Sequence, residues 1–208
     1  MNWLAHIVLA GPEPDHQLGG VLADLVSMPV ARGLPAGLRQ GIALHLSIDA
    51  FSDAHPTVGA SVRRISTAGV GLRPAAAAVA VDMLYDHVLA RDWVIHGRPE
   101  VKLEEFASRF YSLTTAHPDA IPPHARTVLT GMAAQDWLGS YRDLDQIRLA
   151  LERIRRRLSE RAAALCPLGA AVDVFLGQPE AFAEDFAKFW PDAAAYAERA
   201  RAAAKNDL

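Results

Sequence analysis

Acids and histidines recur at helical spacing inside apolar runs, and this pattern constrains the chain more than any other feature. His45 and Asp49 sit in GIALHLSIDAF, Asp82, Asp86 and His87 in VAVDMLYDHVL, and Asp24 in GGVLADLV. On a water-facing helix such residues carry little information. Here the neighbours are Ile, Leu, Val, Met and Phe, a context that predicts burial. A charge taken out of water without a partner is costly. The simplest explanation of several such groups together is a bound cation, and a cation among carboxylates commonly does chemistry.

The rest of the chain is helical in type. Alternating β-branched runs are scarce, while Ala, Leu, Arg and Glu are abundant. The reading is an all-α protein, a single compact helical domain over residues 1–208. Helices are expected at about 2–10, 16–31, 36–54, 57–67, 74–93, 100–116, 122–135, 143–164, 169–176 and 179–204. Gly11-Pro12, Gly33 with Pro35, Pro56 and Pro74 punctuate the first half. Pro118, Pro122 and Pro123 bracket a loop, and Pro167 ends the eighth helix. The Ala/Arg/Lys-rich tail from Ala193 to Leu208 is expected to fray at its end.

Charge and cysteine content narrow the function classes. A formal net charge of -3 gives no whole-molecule attraction to nucleic acid or an anionic membrane. Cys166 is the only cysteine, which excludes an intrachain disulfide and a cysteine-rich metal site, and fits a reducing compartment. The apolar opening MNWLAHIVLA lacks a basic flank and ends at Gly11-Pro12, unlike a signal peptide. No apolar run approaches the roughly 20 residues of a membrane span. The expectation is a soluble, cytoplasmic protein.

On a helical wheel, His45 and Asp49 fall in the middle of the arc formed by Leu38, Ile42, Leu46 and Ile48. Four residues apart, they meet on one face. Asp82 and Asp86 share the same spacing within the arc of Val79, Met83, Leu89 and Trp93. Two like charges there repel, and without a cation one tends to hold a proton. His87 projects toward a different layer, Asp24 lies beside Leu18, Val21, Leu25 and Met28, and His6 sits in an apolar first helix four residues after Asn2. Taken singly, a buried histidine is often a hydrogen-bonded core residue, and a buried aspartate often caps a helix or pairs with arginine. Taken together, His45, Asp49, Asp82 and Asp86 favour a shared cation. Oxygen and imidazole without thiolate suit Mn, Fe, Mg or Zn. Such a centre ionises water near neutral pH and neutralises a phosphoryl oxygen, so phosphoester hydrolysis is the first expectation.

The blocks MNWLAHIVLA, GGVLADLV, GIALHLSIDAFSDAHP and DMLYDHVLARDW follow the order and spacing of acyl carrier protein phosphodiesterases, with a weaker continuation at Trp137-Leu-Gly-Ser-Tyr-Arg. The chain resembles that family over most of its length. The resemblance implies a cytoplasmic, all-helical, HD-like bundle that hydrolyses the phosphodiester between a carrier-protein serine and 4'-phosphopantetheine, within fatty acid biosynthesis. It implies Mn2+ as cofactor, with Mg2+, Fe2+ or Zn2+ as alternatives. The family's motif positions fall on His6, Asp24, His45, Asp49, Asp82, Asp86 and His87. His6, Asp24, His45, Asp49 and Asp82 are the expected metal shell; Asp24, Asp86 and His87 are the expected catalytic groups, with Asp86 and His87 orienting ligands or moving protons. The adjacent His-Asp pair of HD-type enzymes is absent at 45–49. The family also carries basic residues after the histidine and after the Asp24 block, where this chain has Leu46 and Met28. That loss of positive charge keeps two other readings open: a hydrolase of a nucleotide or other small phosphoester, and an inactive helical binding protein.

An acyl carrier protein is strongly acidic and calls for a basic face. The expected one is Arg153, Arg155, Arg156 and Arg157, fanned around a stripe of Ile147, Leu151, Ile154 and Leu158, with Arg63, Arg64 and Arg73 as further options. No aromatic residues interleave with these arginines, which argues against nucleic acid.

Overall fold

In the computed structural model, which describes residues 1–206, every regular element among the described residues is a helix. The order is α1 (Trp3–Leu9), α2 (Pro14–Leu22), α3 (Met28–Arg32), α4 (Ala36–Ala54), α5 (Pro56–Ser66), α6 (Pro74–Arg91) and α7 (Trp93–His96). It continues with α8 (Leu103–Leu113), α9 (Pro123–Ala134), α10 (Trp137–Ser140), α11 (Leu144–Arg155), α12 (Glu160–Ala164), α13 (Ala170–Gly177) and α14 (Pro179–Asn206). The end of the tail expected to fray, Asp207 and Leu208, lies outside the described residues. No helix among the described residues is long and apolar enough to cross a membrane.

Two expected helices are each broken in two. The segment 16–31 stops at Leu22 and restarts as α3 at Met28, because Pro29 lacks an N–H and is tolerated only in a first turn. The segment 143–164 breaks after Arg155, and Ser159 accepts a hydrogen bond from the Ala162 N–H to start α12. Leu158 therefore leaves the apolar stripe and is exposed, while Ile147 and Leu151 are fully buried.

The buried apolar residues form one contiguous cluster running from α1 to α14. Helix α6 passes through its centre: Val81, Leu84, Tyr85, Val88 and Leu89 have almost no exposure. Phe175, Phe182, Phe186 and Phe189 from α13 and α14 close one side. On the other side α2 lies against α4 at backbone distance. A side chain at Gly19 would begin 2.3 Å from the Leu38 carbonyl oxygen, so only glycine permits this approach. That contact fixes the register of α4 and hence the placement of His45 and Asp49.

Candidate metal centre

His6 in α1 and His45 in α4 are both buried, and their rings stack at 3.7 Å with planes 17° apart. Each presents Nε2 to the same carboxylate: His6 lies 3.0 Å from Asp49 Oδ1 and His45 lies 3.0 Å from Asp49 Oδ2. The His45–Asp49 contact follows from their four-residue spacing on α4. His6 arrives from α1, and its Nε2 is also 3.1 Å from the Met1 carbonyl oxygen. Donor atoms of His6, His45 and Asp49 all fall within 4.8 Å of one another. Nδ1 of both rings is buried without a hydrogen-bond partner, so each imidazole is satisfied only on its Nε2 side.

Two more acids border this trio. Asp24 Oδ1 is 3.6 Å from His45 Nε2, and its Oδ2 accepts from the Trp3 indole N–H at 2.8 Å. Asp82 turns to the start of the chain: its Oδ1 is 3.2 Å from the Met1 α-ammonium, which is also 3.1 Å from Asp49 Oδ1. The expected burial of the acids is corrected in part. Asp49 and Asp82 keep about a third of their side-chain surface exposed and Asp24 half. Asp24 lies past the end of α2 in a turn, not inside a helix. The carboxylates face an opening while the imidazoles are enclosed.

Electrostatics follow this placement. Desolvation pulls the His6 pKa down to about 4, against the opposing pull of Asp49, so the ring is neutral at pH 7. Burial pushes Asp49 up, but His45, His6 and the Met1 ammonium outweigh it and hold the carboxyl well below the usual range. Burial raises Asp82, with the ammonium only partly offsetting it. Burial also opposes the Met1 ammonium, yet Asp82 and Asp49 prevail and raise it to about 10. A positive charge thus already sits between two of the carboxylates. Two imidazole nitrogens and an ionised carboxylate within coordinating reach, with more carboxylate oxygen at hand, form a donor set that fits a divalent cation.

Asp86 and His87 take other places. Asp86 is fully buried under α1 and accepts from the Leu4 N–H at 2.7 Å and the Ala5 N–H at 3.1 Å. Asn2, at the cap position of α1, provides no side-chain cap, so Asp86 serves the orphan donors of that helix from across the fold. Burial raises its pKa to about 7, with those two N–H groups opposing. His87 turns to the far side of α6, with Nδ1 2.9 Å from the Tyr141 carbonyl oxygen and its ring edge-on to Phe175. The structure corrects the expected catalytic placement of both: neither side chain joins the histidine–carboxylate trio.

A cavity of about 330 Å³ opens beside Asp24, between α1, α6, α10 and α11. Trp3 and Trp137 stack at 5.9 Å on its wall. The placement of Trp137 has a local cause. Asp136 adopts a left-handed backbone (φ 45) and caps α10, while the Tyr111 hydroxyl donates to Asp136 and accepts from the Leu138 N–H. The sequence blocks that carry the family resemblance hold both indoles, but nothing in their spacing showed that Trp3 and Trp137 meet. Arg153 and Arg157, exposed and four residues apart, line the same cavity. The expected four-arginine face does not form as one unit. Arg155 is held by Glu152 at 2.6 Å and reaches toward the Ala163 carbonyl, and Arg156 is absent from the cavity lining. Arg64 is tied to Asp185 and lies over the Phe182 ring.

Fold and centre define an all-helical protein that draws imidazole and carboxylate donors from separate helices onto one point. Residues 1–193 match the family described as acyl carrier protein phosphodiesterase, and the chain belongs to that family. Relatives carrying that name include one from Salmonella agona (strain SL483), 31% identical over 160 residues that span 76% of this chain and 79% of the relative. Another, from Enterobacter sp. (strain 638), is 31% identical over 161 residues with the same coverage. No solved structure matches the chain.

Proposed function

We propose that this protein is a metal-dependent phosphodiesterase that removes 4'-phosphopantetheine from holo-acyl carrier protein. The observation that carries the reading is the convergence of His6 Nε2 and His45 Nε2 on the Asp49 carboxylate. Family membership supports the reaction and the carrier as substrate. His6, His45 and Asp49 would hold the cation, with the carboxylates of Asp24 and Asp82 beside them; Mn2+ leads, with Mg2+, Fe2+ and Zn2+ behind it. The cation supplies Lewis acidity, neutralising phosphoryl charge and making water acidic enough to ionise near neutral pH.

The chain's own residues do the rest. Low basicity keeps the His6 ring neutral at pH 7, and Nε2 would offer its lone pair to a cation once the ring proton it turns toward the Met1 carbonyl sits on the unpartnered Nδ1 instead. Asp49 stays anionic for the same cation. Asp24, fixed by the Trp3 indole at the cavity edge, orients the attacking water. In the overall step a water oxygen bonds to phosphorus, the bond to the carrier serine oxygen breaks, and that oxygen takes up a proton. Asp86 acts as a positioning residue that seats α1, and with it His6, whereas His87 supports the fold by tying α6 to Tyr141. The acidic carrier docks where Arg153 and Arg157 border the opening, which steers encounter electrostatically. A carrier-protein substrate is consistent with a cytoplasmic enzyme.

The test combines turnover with metal content. Purified protein with Mn2+ should release 4'-phosphopantetheine from holo-carrier and leave a nucleotide panel intact. Asp49→Ala should lose about 100-fold or more of that rate and its bound metal. Full turnover in the variant would falsify the centre, and turnover of nucleotides alone would replace the substrate.

A further inference from the structure

We propose that the cavity beside Asp24 is the seat of the pantetheine arm, and that Trp3, Trp137, Met83 and Ile154 hold its carbon chain while Asn2 binds one of its amide carbonyls. The inference rests on the carrier-protein reading above, and goes further by assigning residues to the part of the substrate that does not react.

Four observations carry it. First, Asp24 belongs both to the trio's surroundings and to the cavity lining, so a phosphodiester held at the centre has its next atoms in the cavity. Second, about 330 Å³ lies at the lower end of small-ligand pockets, a size suited to a slender chain and not to a folded segment. Third, the wall is mixed in the way a pantetheine arm requires. Two indoles, a thioether and a branched aliphatic face its methylenes and geminal methyls, and Gln135, Gln146 and Ser140 offer partners for its amides and hydroxyl. Fourth, Asn2 lines the cavity with its Nδ2 buried; the Tyr141 hydroxyl is its one polar neighbour there, too poorly placed to make a full hydrogen bond. A buried donor left unpaired is costly, and an amide carbonyl in the cavity removes that cost. A nucleotide fits this wall less well: its base would need a flat slot, whereas the two indoles are stacked on each other with planes 6° apart.

The arrangement also explains how a carrier is handled by a small site. The carrier domain stays outside, its serine at the Asp24 side and its acidic surface over Arg153 and Arg157, while only the arm enters. Contacts to the arm, remote from phosphorus and alike in ground and transition state, then add affinity for the carrier.

The experiment titrates the whole protein with pantetheine, which lacks the phosphate and so needs no metal. Trp3 and Trp137 report through their fluorescence. Wild-type protein should give a saturable change, and Ala150→Phe, which fills the cavity from α11, should abolish it. The same variant should raise KM for holo-carrier by about 10-fold or more with kcat largely kept. Gln146→Leu provides a second, milder variant should Ala150→Phe fail to fold, and it should weaken pantetheine binding without touching the aromatic wall. Absence of a saturable change in wild type up to millimolar pantetheine overturns the assignment, as does a variant that lowers kcat at unchanged KM. Pantetheine binding without holo-carrier hydrolysis would uphold the cavity and defeat the phosphodiesterase reading; hydrolysis without pantetheine binding would do the reverse.

Discussion

Replacing Asp86 should unseat α1 before it touches chemistry. The carboxylate accepts from the N–H groups of Leu4 and Ala5, at 2.7 and 3.1 Å, in a fully buried position. Asp86→Ala leaves both donors without partners where water does not reach. Each unsatisfied buried donor costs about 1–3 kcal/mol, which gives a loss of about 2–6 kcal/mol against a typical total of 5–15 kcal/mol. Asp86→Asn keeps one acceptor oxygen, so its loss should be about half. The assay is urea denaturation followed by far-UV circular dichroism, with the transition slope checked for constancy. The reasoning is refuted if Asp86→Ala costs less than about 1 kcal/mol, or if Asn and Ala cost the same. Catalysis supplies a second readout. Because α1 carries His6, both variants should bind metal more weakly, and added Mn2+ should restore activity more fully for Asn than for Ala.

Two further outcomes follow from the same geometry. The folded-state pKa of His6 is about 4 against 6.5 when exposed, so the unfolded chain binds a proton over that window and the folded chain does not. His6 therefore contributes stability that is present above pH 6.5 and fades as pH falls toward 4, by about 3 kcal/mol. Asp86, raised to about 7, has the opposite sign over much of that range, so the effect is read as the difference between wild type and His6→Gln at pH 7 and pH 4. A pH-independent difference contradicts the account. His87→Ala should lose about 2 kcal/mol of stability, from the contact with Tyr141 and the packing on Phe175, with kcat unchanged within about threefold. A hundredfold fall in kcat at full folding would return His87 to the chemistry.

The helix content was legible because apolar residues recur with a clear helical period and prolines mark the breaks. The His45–Asp49 pair was legible for the same reason: four residues on one helix leave little freedom. Asp82 and Asp86 share that spacing yet part company, one toward the Met1 ammonium and the other beneath α1. Periodicity has no power here, because α6 is apolar on all sides and a helix buried all round has no phase to read. His87 was expected to face a different layer and does so; periodicity did not tell that this layer lies away from the trio. Asp24 was read as helical because ADLV continues an apolar pattern; the effect of Pro29 on the chain before it was not weighed. The arginine face depended on a continuous helix from 143 to 164, and the break at Arg156 to Ser159 sends its members in different directions. The pairing of His6 with His45 rests on contacts across the fold that no local spacing encodes.

The site is consequently no stronger than the docking of its shortest contributor. A helix of 7 residues such as α1 does not persist alone, since nucleation costs more than so few hydrogen bonds return. It stands because Asp86 caps it and because Leu4, Ala5 and Ile7 are buried against the core. The same helix carries His6 toward Asp49 and Trp3 toward Asp24. Seating α1 thus sets one nitrogen of the centre and one wall of the cavity in a single event. A cation that binds His6, His45 and Asp49 favours the seated state by mass action, and a ligand in the cavity favours it independently through Trp3. Linkage then requires that each strengthen the other. Pantetheine should bind more tightly with Mn2+ present, although it has no phosphate to offer the ion, and Asp86→Ala should enlarge that coupling because more of its α1 starts unseated. Equal pantetheine affinity with and without Mn2+ in both proteins would show that α1 is rigidly docked throughout, and that centre and cavity are assembled separately.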